Sequence, residues 1–376
     1  MKNIRKLLGL VLLLSAISVQ ASNKGTETKE NLPNQEMKLR MVLFVPADKE
    51  FPEGYMERYK EIADYSEAFF AKWMNYWGYP CENPLRIERD NKGYPIVMTV
   101  KGKYNYDHPS YKKLSEIKNE VIEQAKNEFD EPAENLVWWI LNYPKRKRGS
   151  RGGGNVQDGG TCFANYNEGQ GKINVTDDLG AGFLEKIKLK SLIHELTHAL
   201  GLGHIGPRET LDLGNSLMGP VNKAYKRVFN DDSRVYLSNA AAAILWKHPL
   251  FSGNGEDRMI TPEVQLNKYS VKFDEKKKQF IVEGQLNSNF AAHSVVISNA
   301  SKGDPSAYWH KAFVGKVKSN GSFRCLVADL KEADGELVIG FCFNNGAITG
   351  DGEKLGLNKS GIRKPYRFSE NKYLFE

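Results

Sequence analysis

The chain has 376 residues, 40% of them hydrophobic and 11% aromatic, a composition that excludes a disordered or fibrous protein. Its formal net charge of +7 falls to +4 without the three cations of the first six residues, too weak a balance to argue for nucleic acid. A single core seldom grows beyond about 250–300 residues, so two domains are expected.

Residues 1–21, MKNIRKLLGLVLLLSAISVQA, join a basic start (Lys2, Arg5, Lys6) to an apolar run from Leu7 to Val19, with small residues at Val19 and Ala21. That is the pattern of an export signal peptide cleaved after Ala21. The run is shorter than the ~20 apolar residues that span a bilayer, and no other segment could span one. The expectation is a secreted or periplasmic protein, not an integral membrane protein after cleavage. Residues 22–36 are polar and turn-rich and read as a disordered leader.

From Met37 strands and helices alternate. KLRMVLFV (38–45) is β-rich, and Tyr55, Tyr59, Ile62, Ser66, Phe69 and Trp73 mark a long helix by their steps of three and four. Residues 85–100 read as two strands around the turn Asn91-Lys92-Gly93, and Ser110 can cap a helix carrying Leu114, Ile117, Val121, Ala125 and Phe129. LVWWIL (136–141) is a strand buried on both faces. KRKRGSR (145–151) leads into glycines and is expected to be a solvated loop rather than a binding patch. TCFANY (161–166) and KINV (172–175) follow as strands. A third long helix is expected from about Phe183 to Ala199, and a last one after Ser238. The alternation predicts an α/β domain over 37–252 with a mixed, twisted sheet. Past residue 260 only short β-rich runs remain, such as QFIVEGQL and ELVIGFCF, and an all-β domain, β-sandwich-like, is expected over 260–376.

Four cysteines, Cys81, Cys162, Cys325 and Cys342, lie outside the signal segment. In an oxidising compartment an even count predicts two disulfides, with three pairings open to the sequence. Cys81–Cys162 with Cys325–Cys342 keeps each bridge inside one domain. No spacing among them forms a cysteine zinc knuckle.

Three of the seven histidines crowd into HELTHALGLGH, His194 to His204. On a helix His194 and His198 are one turn apart on the same side, opposite a stripe of Leu189, Leu192, Ile193, Leu196 and Leu200. Zinc takes such nitrogens in tetrahedral geometry, with one position open when the site is catalytic. Glu195 is placed to act as general base on a metal-activated water. Gly201 lets the helix stop in a left-handed turn, so that His204 approaches from another direction.

HELTHALGLGH resembles the long zinc-binding motif of the metzincin metallopeptidases. Ser216-Leu217-Met218-Gly219-Pro220, 14 residues beyond His204, is similar to the methionine turn of that family and to the Leu-Met-x-Pro of matrixins. The resemblance covers roughly residues 37–250. It implies a metzincin-like catalytic domain and one catalytic Zn²⁺ on His194, His198 and His204, with Met218 supporting the site from below. It also implies that TCFANY is the antiparallel edge strand along a substrate cleft. Ile205 after the third histidine leaves the subfamily open. No tyrosine stands two residues after Met218, so a tyrosine ligand is not implied. Nor is a second structural zinc, since no acidic, histidine-bearing loop is present. The leader carries no cysteine, so a cysteine-switch latency does not apply. Calcium and oligomeric state stay open. The function expected is an exported zinc-dependent endopeptidase acting on protein or peptide substrates. The competing reading is a secreted adhesion or carbohydrate-binding protein with a vestigial metal site, against which the intact Glu195 speaks.

Overall fold

The computed structural model describes residues 36–129, 135–147, 149–206, 213–219, 233–304 and 310–375. The segments expected to be signal peptide (1–21) and leader (22–36) lie outside them, except for residue 36. The first part contains β1 (Lys38–Val45), α1 (Tyr55–Tyr76), β2 (Val97–Lys101), α2 (Leu114–Phe129), β3 (Leu136–Asn142), β4 (Arg151–Asn155) and β5 (Gly159–Asn165). It continues with α3 (Gly182–Lys186), α4 (Leu189–Ala199), β6 (Asn215–Ser216), β7 (Val235–Tyr236), α5 (Asn239–Leu245) and α6 (Pro249–Ser252).

One sheet organises this part, in the order β2-β1-β3-β5-β4, parallel except for the last pair. Its strands are apolar throughout because both faces are covered. Met41, Leu43, Val137, Trp139, Cys162 and Ala164 face α1 and α4, and their alternates Val42, Phe44, Trp138, Ile140 and Phe163 face α2. Helix α1 buries Tyr59, Ile62, Ser66, Phe69 and Trp73, the stripe its spacing predicts, and the Tyr59 hydroxyl donates to the Val42 carbonyl at 2.9 Å.

Six expectations are corrected here. KINV (172–175) forms no strand, and Ser110 does not cap α2 but lies in a separate 3-10 turn, Pro109–Lys112, where the His108 side chain accepts the Ser110 N–H. Residues 85–100 hold one strand, β2, preceded by a lone bridge between Arg89 and Pro95; Leu85 and Arg86 belong to a 3-10 turn with positive φ, and Pro95 lacks the N–H a ladder needs. The helix expected over 183–199 breaks at Lys188, whose φ is 58°. Ile187 and Leu189 are both buried, and on one continuous helix residues two apart would point to opposite sides. TCFANY falls on β5, which is paired on both sides. The antiparallel edge strand is instead β4, formed by the glycine run expected as a solvated loop.

The second part contains β8 (Gln265–Asp274), β9 (Gln279–Asn287), β10 (Ala292–Ser301), β11 (Lys311–Val317), β12 (Ser322–Val327), β13 (Gly335–Phe343), β14 (Ile348–Thr349), α7 (Leu357–Ser360), β15 (Ile362–Ser369) and β16 (Lys372–Phe375). In place of a sandwich of two sheets, these strands form a single antiparallel sheet, β16-β15-β13-β10-β11-β12-β9-β8, with β14 beside β13. The sheet curls until its outer strands meet through aromatic side chains, with Phe273 of β8 4.8 Å from Tyr373 of β16 between ring centroids. The result is nearly a barrel around Phe280, Val295, Ile297, Phe313, Phe323, Ile339 and Phe341.

The outer face of that barrel packs on the α/β part. Val296, Ala312, Val338, Cys342, Ile348 and Leu357 belong to the same apolar cluster as α1 and α4, and residues 35–376 form one compact unit.

The expected disulfides are absent; all four cysteines are buried thiols. Cys325 on β12 points into the barrel core, Cys342 on β13 points out to the α/β part, and two strands lie between them. At about 4.8 Å per strand that separation exceeds any disulfide's reach. Cys81 sits with its Sγ 3.4 Å from the Phe251 carbonyl, and Cys162 lies inside the sheet against the Trp138 carbonyl.

Candidate metal centre

Helix α4 is amphipathic. Leu189, Leu192, Ile193, Leu196 and Ala199 anchor it in the core, and His194 and His198 stand half-buried on the other side. Its C-terminal end closes in two bonds, Gly201 N–H to the His198 carbonyl at 3.0 Å and Leu202 N–H to the Thr197 carbonyl at 3.1 Å. This is the Schellman arrangement, and Gly201 adopts the positive φ it needs, 87°. The same turn serves the site, because the His198 Nδ1–H donates to the Leu202 carbonyl at 2.8 Å.

His194 is fixed from the opposite side. Its Nδ1–H donates to the Leu217 carbonyl at 2.7 Å, within the turn that carries Met218. Met218 is fully buried, and its sulfur lies 2.7 Å from the Thr197 hydroxyl, which also meets the His194 carbonyl at 2.6 Å. The Ile205 N–H donates to the Met218 carbonyl at 3.0 Å, tying the His204 loop to the same turn. Pro220 lies outside the described residues.

With both Nδ1 protons spent, the Nε2 atoms of His194 and His198 are lone-pair acceptors only. Yet they face each other at 3.2 Å, and His198 Nε2 is 3.2 Å from His204 Nε2. The ligand atoms of all three histidines lie within 4.8 Å of one another. Converging lone pairs repel unless a cation sits among them, so the donor set fits a nitrogen-loving metal such as zinc. Burial keeps the imidazoles neutral at neutral pH, with His194 drawn down to about 4, His204 to about 3 and His198 also below its ordinary value. Burial also pushes the Glu195 carboxyl up to about 7.

Edge strand β4 lies against α4 through its glycines. A Cβ on Gly152 would collide with the Glu195 carbonyl and come within 2.7 Å of the His198 Cβ, and one on Gly154 would collide with the Ala199 carbonyl. Gly153, between them, faces open space. Sequence reasoning missed this strand's place in the site. The signal it passed over lay in the glycine run itself, since Gly152 and Gly154, two apart, fall on the same strand face. It also missed the carbonyls of Leu202 and Leu217, which no side-chain motif can show.

No protein-family model and no curated protein sequence matches the chain. Solved structures do. The chain is similar in fold to OgpA from Akkermansia muciniphila. The wild-type OgpA structure in one crystal form superposes with a TM-score of 0.66 at 19% identity, over 91% of this chain and 97% of that one. A structure of catalytically inactive OgpA in complex with an O-glycopeptide (glycodrosocin) substrate gives 0.65 at 18% identity, over 92% and 97%. The likeness to OgpA therefore takes in both the α/β part and the curled sheet.

Proposed function

We propose that the chain is an exported zinc-dependent endopeptidase of metzincin type, with O-glycosylated peptides among its substrates. The observation that carries this reading is the convergence of three neutral imidazoles, two of which, His194 and His198, turn their proton-bearing nitrogens away onto carbonyls. The similarity in fold to OgpA, captured with an O-glycopeptide substrate, supports the substrate class.

His194, His198 and His204 would hold the ion, which when bound supplies a Lewis acid that polarises a carbonyl and lowers the pKa of water. An extended peptide adds along the free edge of β4, taking its register from main-chain hydrogen bonds. Glu195 removes a proton from the water whose oxygen adds to the scissile carbonyl carbon. It then delivers that proton to the amine nitrogen as the C–N bond breaks. Met218 and Thr197 hold the base of the site.

The test pairs zinc content with hydrolysis of internally quenched peptides and O-glycopeptides. Glu195→Gln should retain zinc and lose at least about a hundredfold in kcat, the lower end of general-base contributions. His204→Ala should lose zinc and activity together. Undiminished hydrolysis by Glu195→Gln, or full zinc retention by His204→Ala, rejects the assignment.

A further inference from the structure

Beside the three imidazoles, on the side of the C-terminal end of β4, the two parts of the molecule enclose two adjoining cavities of about 240 and 170 Å³. One wall is the α/β part: Asn155 at the end of the edge strand, Val156 after it, and the turn from Gly201 to Gly203. The other comes from the curled sheet: Ile348, Leu355 and Lys359. His198 lines the larger cavity and His204 the smaller. The β-part thus reaches the metal centre itself, and Asn358 of α7 stands against the loop that carries His204, 3.0 Å from where a Cβ on Gly203 would be.

The chemistry of the walls is one-sided. Most side chains are aliphatic, and no acidic residue among the described residues lines either cavity. Lys359 is exposed at the mouth and has no ion-pair partner among the described residues. Deeper in the wall stands His248, 2% exposed. Its Nδ1 accepts the Leu250 N–H at 3.3 Å, so its proton is on Nε2, a buried donor with no partner among the described residues. A buried donor without an acceptor is costly, and a ligand that brings one relieves the cost.

We infer that this joint cavity is a specificity subsite for a carboxylate on an aliphatic stem, with Lys359 and His248 as its recognising groups. The inference rests on the peptidase reading for the path of the substrate. A peptide added antiparallel to β4 has its N-terminal half at the Asn155 end, so the subsite takes a group on the N-terminal side of the cut. The carboxylate has two possible sources, an acidic amino-acid side chain or a carboxylated sugar on a glycopeptide.

The experiment uses the full chain with zinc and four probes: a peptide with Glu on the N-terminal side of the cut, its Gln counterpart, and an O-glycopeptide with or without a carboxylated sugar. Cleavage by the parent is compared with Lys359→Met and Lys359→Glu, and affinity for the same probes is read on the Glu195→Gln protein. The expected result is a five- to tenfold preference for one carboxylate probe over its neutral partner, about the worth of a charge-assisted hydrogen bond at a partly exposed site. Lys359→Met should erase that preference and Lys359→Glu should reverse it. The peptide pair and the glycopeptide pair tell the two sources apart. Equal handling of both pairs by the parent, or a preference that survives Lys359→Glu, overturns the subsite and leaves the peptidase reading intact. If no probe is cleaved, the peptidase reading fails, and the affinities on Glu195→Gln still decide whether Lys359 selects carboxylates.

Discussion

At the scale of single residues, the proposed metal ligands were legible because the chemistry of a metal centre dictates their spacing. His194, His198 and His204 stand where a helix followed by a left-handed turn brings nitrogens together, and Gly201 makes that turn. What holds the ligands was not legible, because two of the partners are main-chain carbonyls, which every residue possesses. Thr197 is the exception, a side chain in the middle of the motif that ties the His194 carbonyl to the Met218 sulfur. Thr197→Val keeps the shape and removes the hydroxyl. Zinc affinity should fall about ten- to a hundredfold, as for other outer contacts that orient ligands, with about 1 kcal/mol lost from stability. Competitive chelator titration and denaturant melts check both figures, and unchanged zinc affinity would show the hydroxyl to be dispensable. The cysteines give a second prediction at this scale. Burial pushes the Cys81 thiol up to about 11, raises Cys162 and Cys342 as well, and leaves all four side chains inaccessible. A thiol reagent at pH 8 should therefore react slowly with the native protein and count four thiols after denaturation without reductant. A count of zero would restore the disulfides.

Among the elements, long periodic helices and doubly buried strands were readable because burial writes itself as a repeat. Helices α1 and α2 and strands β1 and β3 stand where their patterns place them. Failures came where a contact with a distant element decides the local form. Lys188 turns left-handed so that Ile187 and Leu189 reach the same core, and β4 forms as a glycine strand because helix α4 leaves no room for a side chain at Gly152 and Gly154. Gly152→Ala tests the second point, since its methyl would meet the backbone of α4 at Glu195. Shifting that strand should cost about 1–3 kcal/mol, the usual range for overpacking, and should lower hydrolysis more than zinc content. Gly153→Ala, facing open space, is the control and should melt close to the parent. If both variants match the parent, β4 is not packed as described.

For the molecule as a whole, the change of composition near residue 260 does mark the passage from α/β to all-β structure. What the sequence could not show is that the strand ELVIGFCF is apolar on both faces because it walls two cores. Leu337, Ile339 and Phe341 face the barrel interior, and Val338 and Cys342 face the helices. A fragment of residues 37–252 would leave the helical side of that wall uncovered, so it should be insoluble or melt without a cooperative transition. A soluble fragment that binds zinc as tightly as the full chain would contradict the shared core. The docking of the His204 loop has a further meaning in time. Gly206 donates its N–H to the His310 carbonyl at 2.7 Å and bridges to Lys311. During synthesis the ribosome must therefore add about a hundred residues after His204 before that contact with the β-part can form. A nascent chain carries His194, His198 and His204 long before it carries the β-part that braces their loop, and the proposed metal centre is completed only as the barrel closes.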